Sequence, residues 1–404
     1  MKTYDWIVIG AGIAGAAVAY ELVKKGFSVV LLEQNPSFEN ATRYSYGGLA
    51  FWSATTAVTR QLCEEGMARY RLLSQELDAD IEFRQLDLLL TIPLCEKPPK
   101  GRLRDTDPKT VATSYAGCAV PPKLLTREEA WEMEPLLNRE AIAAALTVKH
   151  GHINPKKTAQ AYIQAFQRAG GRMEQAQVLK LHPAQRATSR DTKVETTTTT
   201  YSSGKVVVCA GGLTRQLLQA SGISIPLYFT HAEIIETPPV DVHLRTLVMP
   251  ACLQRLQLEA EFSKLEEIWN KPTAESIAAI LDAGAIQFQD GSLRLGQISR
   301  IIPDAGAKVD SLQSERWLRQ SIAAILPQLA NLPGSWHHCL VAFSHKDFCL
   351  PFVGSIPFLA EDIYVFSGFS NPLAIVPSLA EHFANWVSNQ EDEVIKQLSS
   401  PRQQ

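Results

Sequence analysis

The chain has 404 residues, 46% of them apolar and 20% charged, and a formal net charge of −3. This is the composition of a soluble globular protein of two or three structural units, with no basic surface suited to nucleic acid. No apolar span long enough to cross a membrane and no cleavable signal is read, so the expected setting is cytoplasmic. Seven cysteines contain no C-x-x-C pair, and an odd number fits a disulfide framework poorly. No metal site is expected.

The first unit carries the most specific signal. Residues 6–9 form an apolar run of strand type, followed by Gly10, Gly12 and Gly15 in G-x-G-x-x-G spacing. An Ala-rich helix then runs to Gly26, and a second strand over 29–32 stops at Glu33. Gly10 permits the tight turn, Gly12 the approach of backbone to a pyrophosphate, and Gly15 the packing of helix on strand. The helix N-terminus offers unpaired N–H groups to phosphates, and Glu33 is placed to accept from ribose hydroxyls. The acid argues against a 2′-phosphate and hence against NADP. FAD and NAD both fit this unit.

Further along, residues 39–52 read as a polar, Gly-rich loop. A helix is predicted over 56–77, a strand over 83–92 and a surface loop over 97–122. Thr126 and Glu129 form a capping box for the next helix, and a helix over 155–169 stops at Gly170-Gly171. Strands follow at 172–181, across the Thr run 196–200 as an edge strand, and at 205–210. The segment VVVCAGG repeats the logic of a buried strand ending in glycines. From 225 to 296 the pattern is mainly strand, with a helix near 273–281. A helix over 312–325, a strand over 340–343 and a last strand over 363–366 lead to the final helix. Nucleotide-binding strands at the start, middle and end make that domain discontinuous. Its expected parts are 1–80, 149–222 and 344–404, with 81–148 and 223–343 forming a substrate domain. The fold class is therefore α/β (α+β), a Rossmann-like domain joined to a mainly antiparallel sheet.

Several segments taken in order carry a family likeness. They are the N-terminal fingerprint, Ala41-Thr42-Arg43-Tyr44-Ser45-Tyr46-Gly47-Gly48, Gly151-His152-Ile153-Asn154-Pro155, VVVCAGG, Leu350-Pro351-Phe352-Val353-Gly354 and Ser367-Gly368-Phe369-Ser370-Asn371-Pro372. With these the chain resembles the D-amino-acid oxidase superfamily of FAD-dependent oxidoreductases, the glycine oxidase, sarcosine oxidase and D-amino-acid dehydrogenase group. The resemblance implies FAD rather than NAD. It implies cofactor contacts from Gly10, Gly12, Ile13, Ala14, Gly15, Glu33 and Gln34 in the first unit, and from Thr42, Arg43, Gly47, Gly48 and Leu49 in the second loop. Val178, Ala210, Gly211, Gly368, Phe369, Ser370, Asn371, Pro372 and Leu373 complete the set. Asn371 is expected to cap the last helix and Pro372 to open it, with its N-terminus toward the flavin; Pro377 is expected to bend it. Attachment is expected to be non-covalent, because Cys339 is out of register by about two residues with the Cys that sarcosine-oxidase-like relatives use, and reads as a buried apolar side chain.

In amino-acid-oxidising relatives, the strand before the Leu350-Pro351 segment carries an Arg that grips the substrate carboxylate. The matching position here is Phe343, and the family's flavin-side His is Phe369. Three cations are candidates to replace that Arg: Arg300, Lys346 and His345. Arg300 is preferred for its two-pronged guanidinium. If Arg300 points away, a pocket of Trp52, Phe343 and Phe369 should favour an uncharged or aromatic amine. The expected reaction is hydride transfer from a small amine or amino-acid substrate to flavin N5. A hydroxy-acid substrate and a non-catalytic flavoprotein are the alternatives, and the electron acceptor, oxygen or quinone, is left open.

Overall fold

A computed structural model describes residues 3–35, 37–94, 107–184, 191–252, 254–344, 351–356 and 360–399. In chain order the strands are β1 (Thr3–Ile9), β2 (Val29–Glu33), β3 (Gly48–Leu49), β4 (Arg84–Pro93), β5 (Lys123–Leu125), β6 (Ile142–His152), β7 (Arg172–Gln175), β8 (Val178–His182), β9 (Thr192–Thr196), β10 (Thr200–Val208), β11 (Leu227–Glu236), β12 (Leu247–Pro250), β13 (Ala278–Gln287), β14 (Leu293–Ile301), β15 (Ser335–Ser344), β16 (Phe352–Ile356) and β17 (Ala360–Ser367). The helices are α1 (Ile13–Lys24), α2 (Ala41–Tyr44), α3 (Ala57–Glu76), α4 (Pro108–Ser114), α5 (Arg127–Met133), α6 (Pro155–Arg168), α7 (Thr214–Ala220), α8 (Gln254–Phe262), α9 (Glu266–Asn270), α10 (Ser311–Ile325), α11 (Pro372–Val387) and α12 (Glu393–Ser399).

Two sheets organise the molecule. The first has the order β16-β17-β10-β1-β2-β7, with β9 beside β10 and β8 beside β9. Its centre is parallel: β10, β1, β2 and β7 pair in one direction, and β17 joins β10 in the same sense. Central parallel strands are covered on both faces, which is why β1 and β2 read as unbroken apolar runs. Trp6 and Val8 pack under α1 and α11, while Ile7 and Ile9 face a second cluster that includes Leu217 and Leu218 of α7. The second sheet has the order β15-β11-β14-β13-β12-β4-β6-β3, with β5 on β6. It is antiparallel except for the β12–β4 pair.

Local chemistry explains the helix that carries the C-terminal loop. α11 runs through Pro377 without a break. A proline lacks the N–H that would bond the carbonyl four residues back, here that of Leu373. The Tyr70 hydroxyl donates to the Leu373 carbonyl instead, at 2.6 Å. Gly66 of α3 faces the Ala374 carbonyl so closely that no Cβ would fit between them.

Three expectations need correction. The stretch expected as a surface loop includes α4, opened by Asp107, whose carboxylate accepts from the Thr110 N–H at 2.9 Å. The Thr run is not an edge strand. It is the turn between β9 and β10, closed by Thr196 Oγ1, which accepts from the Thr199 N–H and donates to the Thr199 carbonyl. Such hydroxyl-to-backbone bonds compete with ladder pairing. The helix expected near 273–281 lies earlier, as α8 and α9, and residues 278–287 are strand β13.

Candidate cofactor and substrate site

The cradle is built by the first turn of the Rossmann unit. Gly10 has φ +97°, and a Cβ there would press the Cys209 carbonyl at 2.7 Å. A Cβ on Gly15 would collide with the Gly10 carbonyl oxygen. Gly12 precedes α1 with no side-chain cap, so the amides that follow Ile13 in the first turn keep donors for an anion. The Ile13 N–H donates to Thr42 Oγ1 at 3.0 Å, which ties the second loop to the first. Gly10, Gly12 and Ala14 are partly exposed, whereas Ala11, Ile13 and Gly15 are buried. At the end of β2 the Glu33 carboxylate accepts from the Ala11 N–H at 2.7 Å and the Asn35 N–H at 2.9 Å. Two oxygens with about four lone-pair sites retain capacity for ribose hydroxyls. Gly211, at φ +55°, has open space where a side chain would stand. These features fit the phosphates and ribose of a dinucleotide.

The second loop is held from the GHINP segment. His152 Nε2 bonds the Tyr46 carbonyl at 3.0 Å, and His150 Nδ1 accepts from the Trp52 indole N–H at 3.0 Å. Burial lowers both imidazoles to about 3, so both are neutral supports. Asn154 caps α6, accepting from the Lys157 N–H at 3.2 Å, with Pro155 in the first turn. Gly47 has φ +75°, and a Cβ on Gly48 would strike the His150 ring. Leu49 is fully buried.

The second sheet presents two unlike faces. Along β11 the side chains of Tyr228, Thr230, Ala232, Ile234 and Glu236 point one way, toward the second loop. Arg43 grips Glu236 bidentately at 2.5 and 2.6 Å. Arg294, opposite Glu236 on β14, donates to the Ser45 carbonyl and lies 4.3 Å over the Phe288 ring. Its Nε has no hydrogen bond among the described residues and stands 3.5 Å from Glu236. Burial lowers Arg294 to about 10, still charged at neutral pH. Tyr44 stacks on His337 of β15 at 4.5 Å, and the Tyr46 hydroxyl donates to the Gly296 carbonyl at 2.6 Å. This is the inner face. On the outer face, Ile235, Leu295 and Ile298 pack against α10.

Arg300 stands on the outer face. Its Nε donates to Glu233 at 2.7 Å, its Nη2 to Ser314 of α10 at 3.2 Å, and its guanidinium lies over Trp317. Glu233 is fully buried and also accepts from the Trp336 indole at 3.0 Å. The preferred carboxylate clamp is thus turned away from the second loop and from solvent, because the bulge at Gln297 shifts the alternation along β14 and sends Arg300 to the outer face. Lys346 and His345 lie outside the described residues. Trp52, Phe343 and Phe369 fall in three different apolar clusters, so no shared aromatic pocket is formed by contacts among them. Phe343 is buried with Tyr228 and Trp269 beneath α8 and α9.

The remaining expected contacts are spread along the edge of the first sheet. Gln34 and Ser370 are exposed, Ala210 follows β10, and Val178 opens β8 against the β1–β2 cluster. Gly368, at φ +78°, approaches Leu227 and Ser344. Phe369 and Leu373 are buried. Pro372 opens α11 as expected, but Asn371 does not cap it; its Nδ2 donates to the Ala50 carbonyl at 3.1 Å. The last loop is thereby tied to the second. Glu236, Arg294, His150 and His152 were not among the expected site residues. Their signal was a charge or imidazole inside an apolar strand, which implies a buried partner. Among the described residues no cluster suits a metal ion, and no helix is long and apolar enough to cross a membrane.

Residues 5–386 match the family model described as FAD dependent oxidoreductase. Over 236 residues the chain is 27% identical to glycine oxidase of Geobacillus kaustophilus, covering 57% of this chain and 61% of that protein. It is 30% identical over 230 residues to monomeric sarcosine oxidase of Streptomyces avermitilis, 55% of each. The matches thus span little more than half the length of these curated relatives. The solved structure of glycine oxidase from Geobacillus kaustophilus superposes with a TM-score of 0.79 at 20% identity over all of both chains. L-Proline dehydrogenase from P. horikoshii superposes at 0.71 and 19%, covering 98% of this chain and 96% of that one. These superpositions concern the fold. With a glycine cradle, an acid closing β2 and a family match across nearly its whole length, the chain belongs to the FAD dependent oxidoreductase family.

Proposed function

We propose that the protein oxidises a small amine or amino acid at the C–H next to nitrogen, with FAD bound non-covalently. The observation that carries this reading is the tie between the dinucleotide cradle and the inner face of the second sheet, through Ile13–Thr42 and Arg43–Glu236. When bound, FAD supplies the hydride acceptor at N5. The chain's own part is holding and alignment. The first amides of α1 are suited to the pyrophosphate, and Glu33 to the ribose. The Arg43–Glu236–Arg294 group fixes the second loop against the sheet that receives the substrate. The nearby imidazoles of His150 and His152 are neutral, and the substrate amine is expected to arrive neutral too. The Cys339 thiol on β15 is pushed by burial up to about 12, so it is not a ready thiolate for linkage to a flavin. The named activities of glycine oxidase and monomeric sarcosine oxidase support amines as the substrate class.

Acid precipitation tests attachment: FAD should appear in the supernatant, and flavin remaining with the pellet would refute a non-covalent site. Reoxidation of the reduced protein by oxygen, compared with a soluble quinone, identifies the acceptor.

A further inference from the structure

Two loops beside the cradle lead into helices that are joined to each other. The second loop, whose Thr42 accepts from the Ile13 N–H, runs on through Ala50 and Trp52 into α3. The last loop, Gly368 to Asn371, runs into α11. Leu373 and Ala374, in the first turn of α11, share one apolar cluster with Ala11 and Ile13 of the cradle turn and Leu49 of the second loop. The start of α11 therefore borders the cradle. Asn371 commits its Nδ2 to the Ala50 carbonyl, so this start is held from the loop side and has no side-chain cap.

α3 holds it from the other side. Leu62, Gly66, Arg69 and Tyr70 lie three or four residues apart on one helix face. The Leu62 carbonyl accepts from Ser378 Oγ at 2.9 Å, and Arg69 Nη1 donates to the Pro377 carbonyl at 3.1 Å. Gly66 lies against the Ala374 carbonyl with no room for a Cβ. That close approach brings the Tyr70 hydroxyl within 2.6 Å of the Leu373 carbonyl. The bond answers a specific deficit. Pro377 brings no N–H to this carbonyl, and Leu373 is buried, so a donor must come from the protein. Tyr70 is itself buried and stacks on Phe83, which fixes its ring. Burial raises the phenol well above its ordinary range, so the hydroxyl keeps the proton it donates.

We propose that Tyr70 and Pro377 act as a pair, in which the phenol replaces the amide the proline lacks, and that Tyr70 is thereby a positioning residue for FAD. It sets the first turn of α11 and the Gly368–Asn371 loop against the cradle. This rests on the reading of the protein as FAD-dependent.

The test is the affinity of the full chain for FAD in equilibrium dialysis, with the unfolding temperature recorded beside it. Tyr70→Phe should raise the Kd of FAD about 10-fold, the scale of a buried carbonyl left without its donor. Tyr70→Phe combined with Pro377→Ala should return the Kd to within about 3-fold of wild type, because the new amide reaches the same carbonyl. Pro377→Ala alone should also stay within about 3-fold, since one carbonyl oxygen accepts from two donors. Arg300→Ala, destabilised on the outer face, should bind FAD as wild type does. If Tyr70→Phe yields no folded protein, the double variant should restore both folding and FAD. Wild-type affinity in Tyr70→Phe, a double variant no better than Tyr70→Phe, or an equal loss in Arg300→Ala overturns the proposal. Failure of the underlying reading looks different: the wild-type protein would bind no FAD at all.

Discussion

The cradle and the inner face of the second sheet are built on opposite principles. Everything that shapes the cradle's first wall, from Gly10 to Glu33, lies in one short βαβ unit, and each residue's role follows from local geometry. The inner face of the second sheet draws on α2, β11, β14 and β15, segments far apart in sequence. Which of their side chains faces inward depends on strand register, where a shift of one residue reverses the face. Arg294 and Arg300 show the consequence: both are arginines of β14, one inward beside Glu236 and one outward beside Glu233. The bulge where Gln297 has no partner on β11 sets their relation. The cradle is a matter of motif, and the inner face a matter of topology.

The largest effect is expected in the cradle. Gly15→Val places a side chain in the Gly10 carbonyl and should leave no folded FAD protein. Gly12→Val is milder for the fold, since its Cβ would meet only Thr42 Oγ1 at 3.1 Å. That variant should fold and purify colourless. A yellow Gly12→Val protein would break the assignment of this turn to the pyrophosphate.

Next comes the outward arginine. Arg300→Ala leaves the buried Glu233 with only its Trp336 donor and should cost about 3 kcal/mol in urea unfolding. Its substrate Kd should stay that of wild type. A large rise in Kd with stability unchanged would return Arg300 to the site. Glu33→Ala, by comparison, should weaken FAD about 10- to 100-fold in equilibrium dialysis, as expected for hydrogen bonds to a charged acceptor. Wild-type affinity there would show that the ribose is held elsewhere.

The smallest effect lies far from both. His382 of α11 bonds Asp392 at 2.6 Å and Glu65 of α3 at 2.7 Å, and these carboxylates raise its pKa despite the opposing effect of burial. A raised folded-state pKa contributes stability that is complete below about pH 6.5 and lost as pH rises through the folded value. The Tm of wild type should therefore fall across that interval more steeply than that of His382→Leu. Parallel slopes would show that the imidazolium contributes nothing.

The contrast also explains what was legible in the sequence. The first βαβ unit, the long α3, α6 with its stop at Gly170-Gly171, and the family membership all rest on local signals. The Thr run failed as a strand because its hydroxyls closed a turn. α8 was missed because its polar, mixed pattern carries little helical periodicity of its own, and packing on β11 decides its place. Arg300 owes its candidacy to its chemistry and its position at a strand end. Its face could be known only from the pairing of β11 with β14.

One measurement bears most directly on the central claim. The purified protein is denatured and its released cofactor identified and counted, and a second portion is mixed without oxygen with glycine, sarcosine, L-proline and their simple amine counterparts. The account predicts one FAD per chain and bleaching of the yellow flavin by at least one of these amines. Stoichiometric NAD in place of FAD, or bound FAD that no amine bleaches while a hydroxy acid does, would contradict it.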